Sequence, residues 1–223
     1  MINKGVDTYF EYPVIACKRI KILSKISPNK NNIGTEEHYY VIWQFPFMKY
    51  KKINIAFVHM PVLNIDESDK MHIAAKLRKS IETFEEKTNI NESVVVGDFN
   101  MNPFDRPVYS AGGLHAISDS KIAKKIKRIV REEEMYYFYN PMWNLLGDKN
   151  IPTGSYYYKK SVLDCLFWNV VDQVCIRPDL INKFDMDCLK YVTSIGGKSI
   201  LKNNVPNKDI SDHLPLFFKL KEE

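Results

Sequence analysis

Long apolar stretches are missing from this sequence of 223 residues. No run approaches the roughly 18 apolar residues that a membrane-spanning helix requires, and the start, Met1 to Pro13, lacks the apolar segment of a secretory signal peptide. These absences argue against a membrane span and against secretion. We therefore expect a cytoplasmic protein.

Cysteine, glycine and proline are also scarce. The four cysteines form no Cys-x-x-Cys pair and no zinc-binding pattern, which predicts reduced, mostly buried thiols rather than disulfides. They are Cys17, Cys165, Cys175 and Cys188. The 9 glycines and 11 prolines are scattered, and no repeat or low-complexity tract is present, so we expect a single domain over residues 1–223.

The composition that remains is that of a globular protein with slight basic character. It is 45% hydrophobic and 26% charged, which is typical of a soluble domain that can bury a full core. Lys and Arg number 32 against 27 Asp and Glu, for a formal net charge of +5. This excess favours an anionic partner without identifying one.

Short runs of β-branched and aromatic residues predict seven strands. Their bounds are Val14–Leu23, Tyr39–Phe45, Ile53–His59, Ser93–Val96, Val162–Trp168, Val171–Ile176 and Leu214–Leu220. Between the third and fourth runs, apolar residues recur at helical spacing and predict an amphipathic helix. They are Ile73, Leu77, Ile81 and Phe84. Strands mixed with few helices indicate α/β layers.

A second, basic helix is predicted from Asp119 to Glu134. Its apolar side would carry Ile122, Ile126, Ile129 and Val130, and its basic face would carry Lys121, Lys124, Lys125, Lys127, Arg128 and Arg131. Clustered Lys and Arg can neutralise phosphates. A Lys-rich face is also common on an ordinary solvated helix, and the acidic run Glu132 to Glu134 follows directly, so both interpretations stay open.

The sharpest local pattern is Gly97-Asp98-Phe99-Asn100, which follows the apolar run of the fourth predicted strand. In extended geometry Asp98 and Asn100 point to the same side, so that a carboxylate and a carboxamide converge on one ligand. Without further context a Gly-Asp step of this kind is often only a turn.

Three further polar positions lie in or beside predicted strands. Ser211-Asp212-His213 precedes the last strand and offers an oxygen ligand for a cation together with an imidazole. His59 ends the third strand shortly before Pro61, which has no backbone N–H and therefore ends the hydrogen bonding between strands. Asp172 sits in an apolar strand, and because an unpaired buried carboxylate costs several kcal/mol, it should have a partner, for which His213 is the candidate.

In this order and spacing, the motifs resemble the endonuclease/exonuclease/phosphatase superfamily over nearly the whole chain. That group includes DNase I-like nucleases, apurinic-site endonucleases, sphingomyelinases and inositol-polyphosphate phosphatases. The resemblance implies a DNase I-like layered α/β sandwich of two mixed β-sheets flanked by helices. It also implies phosphoester hydrolysis that depends on Mg²⁺ or Mn²⁺.

The resemblance also implies roles for single residues. Asp98 would activate or orient the attacking water and bind metal, and Asn100 would hold that water and a phosphate oxygen. His213 would contact the scissile phosphate, while Asp172 would fix its tautomer through a hydrogen bond. Asp212 would assist metal binding, and His59 would contact phosphate or act as general acid.

One part of the family pattern is missing. Family members open with a strand carrying an Asn and continue to a strand ending in a metal-binding Glu, whereas the segment from Val14 to Lys25 resembles the strand after these. Glu11 is the nearest upstream acid, but its surroundings do not resemble the motif. We therefore expect an N-terminally incomplete fold, weak metal binding and weak or no hydrolysis by this chain alone.

The substrate remains open at this point. Asn140 to Tyr158 contains Trp143 and three consecutive tyrosines, which either stack on bases or pack inward as a β-hairpin. Three hypotheses follow: a nuclease acting on nucleic acid, a phosphatase or sphingomyelinase-type enzyme acting on a small phosphoester or lipid head group, and a degenerate module that binds phosphate or nucleic acid without cutting.

Overall fold

Short strands and one long helix make up most of the secondary structure. The computed structural model describes residues 2–4, 7–28, 34–48, 51–62, 66–163 and 165–221. The strands are β1 (Ile2–Lys4), β2 (Asp7–Tyr12), β3 (Ile22–Ser24), β4 (Gly34–Glu37), β5 (Tyr40–Phe47), β6 (Lys51–His59), β7 (Ser93–Asp98), β8 (Ala116–Ile117), β9 (Lys127–Val130), β10 (Glu133–Tyr136), β11 (Phe138–Tyr139), β12 (Tyr156–Tyr157), β13 (Trp168–Asn169), β14 (Asp172–Ile176), β15 (Lys190–Tyr191), β16 (Ser194–Ile195), β17 (Lys198–Ser199), β18 (Leu201–Lys202), β19 (Val205–Pro206) and β20 (Leu216–Phe217). The helices are α1 (Glu67–Thr88), α2 (Arg106–Tyr109) and α3 (Ser120–Ala123), with 3₁₀ turns at Pro141–Leu145, Pro178–Lys183 and Met186–Cys188.

A seven-stranded mixed sheet lies at the centre, in the order β4-β5-β6-β7-β14-β11-β8. Strands β6 and β7 are parallel, and β14 runs antiparallel to β7. The carboxyl ends of β6 and β7 and the amino end of β14 therefore meet at one edge of the sheet. This edge carries the polar residues that the sequence singles out.

Each face of the sheet is covered by a different layer. Side chains alternate along the strands, so that Ile42 and Val95 face α1 while Val41 and Val94 face the other way. The opposite layer consists of the three-stranded sheet β1-β2-β3 and of two-stranded pairs such as β15-β20. The predicted layered α/β sandwich is confirmed, with its second sheet built from short pieces.

Helix α1 forms as the spacing of its apolar residues predicts. Leu77, Ile81 and Phe84 are buried against the sheet, because residues three and four apart share one helix face. The Asp66 side chain accepts the N–H of Asp69 at 2.8 Å and caps the first turn. Asn89 ends the helix with a left-handed φ of 52°.

The prediction of a basic helix over residues 119–134 is wrong. Only the single turn α3 is helical, and the chain then forms the hairpin β9-β10, whose turn residues Arg131 and Glu132 have positive φ values of 52° and 68°. Ile126 and Ile129 are exposed, so the apolar stripe has no core to pack against. β-branched residues then favour the extended hairpin.

Three predicted strands are shorter than expected. The first predicted strand, Val14–Leu23, contributes only to β3. After Pro13 the backbone N–H groups of Ile15 and Ala16 donate to the Glu36 carboxylate, each at 2.7 Å, rather than to a neighbouring strand. Residues 162–168 form a loop that becomes a strand only at β13, with position 164 outside the described residues. The last run keeps β20 and an isolated bridge at Leu220.

Two further findings concern the scarce features of the sequence. The four cysteines are free thiols, with Cys17 and Cys175 buried and Cys165 and Cys188 partly buried. Within the described part of the chain, none of the helices combines the length and apolar character that crossing a bilayer demands.

Candidate active site

Three polar residues lie side by side where strands meet at one edge of the sheet. His59 at the end of β6 is in register with Asp98 at the end of β7, and Asp98 is in register with Asp172 at the start of β14. Directly paired residues of neighbouring strands project from the same face. The register alone therefore brings the three side chains together.

Gly97 permits the close approach of strands beside Asp98. Its φ is +142°, and a Cβ at this position would lie 2.1 Å from the carbonyl oxygen of Val58. Any side chain would collide with the backbone of β6, so only glycine keeps β6 and β7 at this distance. The glycine thus places Asp98 next to His59.

The Asp98 carboxylate is held by Asn100. Its Oδ1 accepts the backbone N–H of Asn100 at 2.8 Å, and its Oδ2 accepts Nδ2 of the same residue at 3.1 Å. Nδ2 also donates to the carbonyl of Met60 at 2.9 Å. Both amide hydrogens of Asn100 are thus used within the protein, so Asn100 orients Asp98 and has Oδ1 to offer to a water or a substrate donor.

His213 and Asp172 form the pair that the buried acid predicts. Nδ1 of His213 lies 2.7 Å from Oδ2 of Asp172. A short contact between imidazole and carboxylate fixes the ring orientation and places the proton on Nδ1, which leaves Nε2 to face a ligand. The predicted contact is confirmed.

The other two predicted site residues, His59 and Asp212, lie outside the hydrogen bonds that join Asp98 to Asn100 and His213 to Asp172. Nε2 of His59 is 4.0 Å from Oδ2 of Asp98, which is too long for a hydrogen bond. Asp212 is exposed in the wall of the same pocket, beside His213. The structure thus brings all six predicted residues to one place, with different degrees of contact.

Several supporting residues were not predicted from the sequence. Ser155 accepts the N–H of Asp172 on Oγ at 3.1 Å and the N–H of Leu214 on its carbonyl at 2.8 Å, so it ties β14 to the segment that carries His213. The Tyr191 hydroxyl donates to the carbonyl of Asp172 at 2.8 Å. A single sequence gives only a weak indication of Ser155, the Gly-Ser step before the tyrosines, and none of Tyr191.

The aromatic segment divides between the core and the site. Met142 is fully buried, while the Tyr156 ring packs on the His213 imidazole with centroids 4.8 Å apart. Tyr156 and Tyr158 line the pocket together with the polar cluster. The segment does not form a hairpin of its own, since Pro141–Leu145 is a 3₁₀ turn and Tyr156–Tyr157 pairs with Trp168–Asn169 outside it. Stacking of the tyrosines on bases stays a prediction.

The pocket has a volume of about 630 Å³. Its polar wall contains the predicted residues together with Asn102, Asp105, Asn169 and Ser211, and its apolar wall includes Val62 and Leu166. It is large enough for a phosphoester with an attached organic group.

Burial and neighbouring charges together shift the pKa values of Asp98 and His213. Burial raises the pKa of Asp98, and the neighbouring Asp172 carboxylate raises it further, against the hydrogen bond from Asn100 and the nearby imidazoles. Burial lowers the pKa of His213, but the hydrogen bond and charge of Asp172, with the charges of Asp98 and Asp212, outweigh it and leave the pKa above its usual value.

The donor set fits a hard divalent cation. Among the described residues, Asp98, Asp172 and His213 each offer a ligand atom within 4.8 Å of the others. Mg²⁺ is usually held by one or two carboxylates, with waters and substrate phosphate completing its shell. A cation would also relieve the repulsion between the two carboxylates. The predicted ligand Asp212 is outside this group of three, and no glutamate of the described chain lines the pocket.

Comparisons with known proteins bear on the fold. No protein-family model matches the sequence, and no curated protein matches it either. The 3′-5′ exonuclease NExo from Neisseria meningitidis matches with a TM-score of 0.51 at 12% identity, over 90% of this chain and 74% of that chain. The human Nocturnin catalytic domain with bound sulfate matches with a TM-score of 0.43 at 12% identity, over 96% and 60%. A functionally unknown conserved protein from Enterococcus faecalis V583 matches with a TM-score of 0.41 at 14% identity, over 82% and 56%.

The match to the exonuclease concerns architecture, since sequence identity is low. Together with the central mixed sheet and its two covering layers, it shows that the chain has a DNase I-like fold. The resemblance found in the sequence motifs is thereby confirmed for the fold. The chain spans 56% to 74% of the length of the solved chains named here.

Proposed function

We propose that this protein is a divalent-metal-dependent phosphoester hydrolase that cleaves phosphodiester bonds in nucleic acid. The observation that carries the proposal is the 2.7 Å contact between His213 and Asp172, at the same sheet edge as Asp98. An oriented imidazole beside a buried carboxylate is an arrangement suited to general acid–base chemistry at a phosphorus atom.

His213 would bind the phosphoryl group. Because Asp172 accepts its Nδ1 proton, Nε2 can donate to a phosphoryl oxygen, and the raised pKa increases the fraction of imidazolium near neutral pH. A positive ring complements the charge that develops on the phosphoryl oxygens during in-line attack. Asp172 is then a positioning residue.

Asp98 would orient the attacking water and accept its proton. Asn100 fixes the carboxylate through both oxygens, so that little reorganisation is required when the water binds. His59, on the other side of Asp98, is placed to contact a phosphate oxygen or to protonate the leaving group.

A cation held by Asp98 with Asp172 or Asp212 would supply Lewis-acid stabilisation of the phosphoryl oxygens when bound. With no glutamate in the described pocket wall, we expect weak metal affinity and therefore slow hydrolysis at low Mg²⁺. The relevant comparison is therefore between variants of this chain rather than with a fast nuclease.

The test is cleavage of labelled DNA and RNA by the purified chain at high Mg²⁺ or Mn²⁺. Asp98→Ala should lower the cleavage rate by about 100-fold or more, because the water is no longer oriented. Asp148→Asn, a change at an exposed loop carboxylate, is the matched control and should cleave like wild type.

Two outcomes would replace the proposal. Release of inorganic phosphate or of a phosphorylated head group from small esters, with intact polynucleotides, would indicate a phosphatase or a sphingomyelinase-type enzyme. Equal rates for wild type and Asp98→Ala on every substrate, together with nucleic-acid binding insensitive to chelator, would indicate a binding module.

A further inference from the structure

A second groove, of about 510 Å³, lies between α2 and the β9-β10 hairpin. Its charged lining residues are three arginines and one glutamate: Arg106, Arg128, Arg131 and Glu133. The lining is therefore basic by two charges. We call this surface the arginine groove.

Arg106 has only a weak acidic partner. Its Nη1 lies 3.6 Å from Oε1 of Glu67, and both side chains are about two-thirds exposed. An exposed pair of this kind contributes little and is screened by salt. The charge of Arg106 can therefore be shared with an external anion.

Arg128 and Arg131 have no carboxylate partner within the described parts of the chain. Arg128 is oriented instead by a histidine, because its Nε donates to Nε2 of His115 at 3.1 Å. The other ring nitrogen of His115 lies 3.1 Å from the carbonyl oxygen of Tyr136, to which it donates. His115 is therefore neutral, with its proton on Nδ1.

The environment of His115 agrees with this assignment. The side chain is fully buried, and burial lowers its pKa to about 4. Arg128 is thus held in place by an uncharged group, and its charge and terminal amino groups are available to a ligand. Guanidinium groups suit phosphate, because their planar fork can donate two hydrogen bonds at once.

Adjacent residues of the chain line the candidate active site and the groove. Asp105 lines the pocket of the site, and the next residue, Arg106, lines the arginine groove. A nucleic-acid strand that uses both would place its reacting phosphate beside Asp98 and a neighbouring segment in the groove.

We propose that the arginine groove binds the sugar-phosphate backbone of a nucleic-acid strand on one side of the scissile phosphate, with Arg128 and Arg131 contacting phosphate oxygens. This inference rests on the proposed function and specifies its substrate as a polynucleotide. It also gives a use to part of the basic segment that the sequence displays over residues 119–134.

The experiment measures binding separately from cleavage. Fluorescence anisotropy with a labelled single-stranded oligonucleotide of about 20 nucleotides is recorded in EDTA, so that no metal-dependent cleavage occurs. Wild type is compared with Arg128→Gln/Arg131→Gln and with the control Lys79→Gln/Lys87→Gln. The control lysines lie on α1 beside Thr35 of β4, at the opposite edge of the central sheet.

The arginine double variant should bind about tenfold more weakly, and its slope of log K against log salt should be shallower by about 1.4, because two phosphate contacts are lost. The control should match wild type. Equal affinity and equal slope for wild type and the arginine variant would overturn the inference.

Three additional measurements make the result interpretable. Arg131→Gln alone leaves the hydrogen bond between Arg128 and His115 intact and should show about half of the change in the slope of log K against log salt. Thermal unfolding shows whether either variant is misfolded. Hydrolysis of bis(p-nitrophenyl) phosphate, which has no neighbouring phosphates to place in the groove, should be equal in wild type and in the arginine variant. Loss of that hydrolysis in the Asp98→Ala protein tests the proposed function, whereas only oligonucleotide affinity tests the groove.

Discussion

Nδ1 of His213 and Oδ2 of Asp172 are 2.7 Å apart, although 41 residues separate them in the chain. Strand β14 presents the acid at its first residue, and Ser155 connects that residue to Leu214, which directly follows His213. The contact therefore depends on the tertiary structure rather than on local sequence. It leaves Nε2 as the ring nitrogen that is available to a substrate.

Asp172→Asn should lower the pKa of His213. The wild-type pKa is above 6.5 because the Asp172 carboxylate outweighs the effect of burial, and the amide removes that charge. NMR titration of the ring measures this directly. An unchanged pKa would contradict the assignment of Asp172 as the residue that sets the protonation of His213.

The same pair has a defined effect on stability. Because folding raises the pKa of His213, its contribution is fully present below the unfolded value of 6.5 and is lost as pH rises through the folded pKa. Denaturation of wild type and Asp172→Asn should therefore differ more at about pH 5.5 than at about pH 9.

Gly97→Ala should lower the free energy of unfolding by about 3 kcal/mol. The residue has a φ of +142°, and the added Cβ would meet the carbonyl of Val58 at 2.1 Å. Chemical denaturation measures the change. Gly112→Ala is the control, since the nearest atoms to its new Cβ are 3.8 Å away, and it should alter stability by no more than about 0.5 kcal/mol. Similar losses in the two variants would be inconsistent with the described β6-β7 contact.

Arg177→Met should destabilise the fold by roughly 3–5 kcal/mol. Arg177 is 4% exposed and donates through Nε and Nη2 to the two carboxylate oxygens of Glu85, each at 2.8 Å, so the substitution leaves a buried charge unpaired. Arg177→Met/Glu85→Leu should lose less than the sum of the single changes. In contrast, Lys202→Met, which breaks an exposed pair with Asp209, should cost at most about 0.5 kcal/mol. Additive losses at Arg177 and Glu85 would rule out the buried pair.

His115 should make stability fall with acidity. Its folded pKa of about 4 lies below the unfolded value of 6.5, so the unfolded chain takes up a proton first as pH falls. The resulting loss is about 2 kcal/mol between pH 7 and pH 5. Urea denaturation of wild type and His115→Gln over this interval should show a smaller loss in the variant. An equal loss of stability in wild type and His115→Gln would mean that His115 is protonated in the folded protein.

The sequence predicts those parts of the site that depend on local chemistry. The Asp98 and Asn100 motif, the position of His59 and the need of Asp172 for a partner all follow from residue types at strand ends. The apolar spacing also predicts α1 correctly, because Leu77, Ile81 and Phe84 have a sheet to cover.

Other features depend on contacts that local patterns do not encode. The apolar residues of 119–134 have helical spacing, yet Ile126 and Ile129 are exposed rather than packed in the core. Positive φ values at Arg131 and Glu132 allow the chain to form a hairpin instead. The supporting contact of Tyr191 with Asp172 likewise follows from tertiary packing and leaves no motif. The arginine groove could not be predicted, because it lies between α2 and the β9-β10 hairpin, and the sequence pattern of that hairpin predicts a helix.

The most direct test of the account is the turnover of bis(p-nitrophenyl) phosphate with Mg²⁺ by wild type, Asp98→Asn, His213→Gln and the double variant. If the two side chains act on one phosphorus atom, each single change lowers turnover by about 100-fold or more and the double variant is scarcely slower than the worse single variant. Wild-type turnover in either single variant would contradict the account.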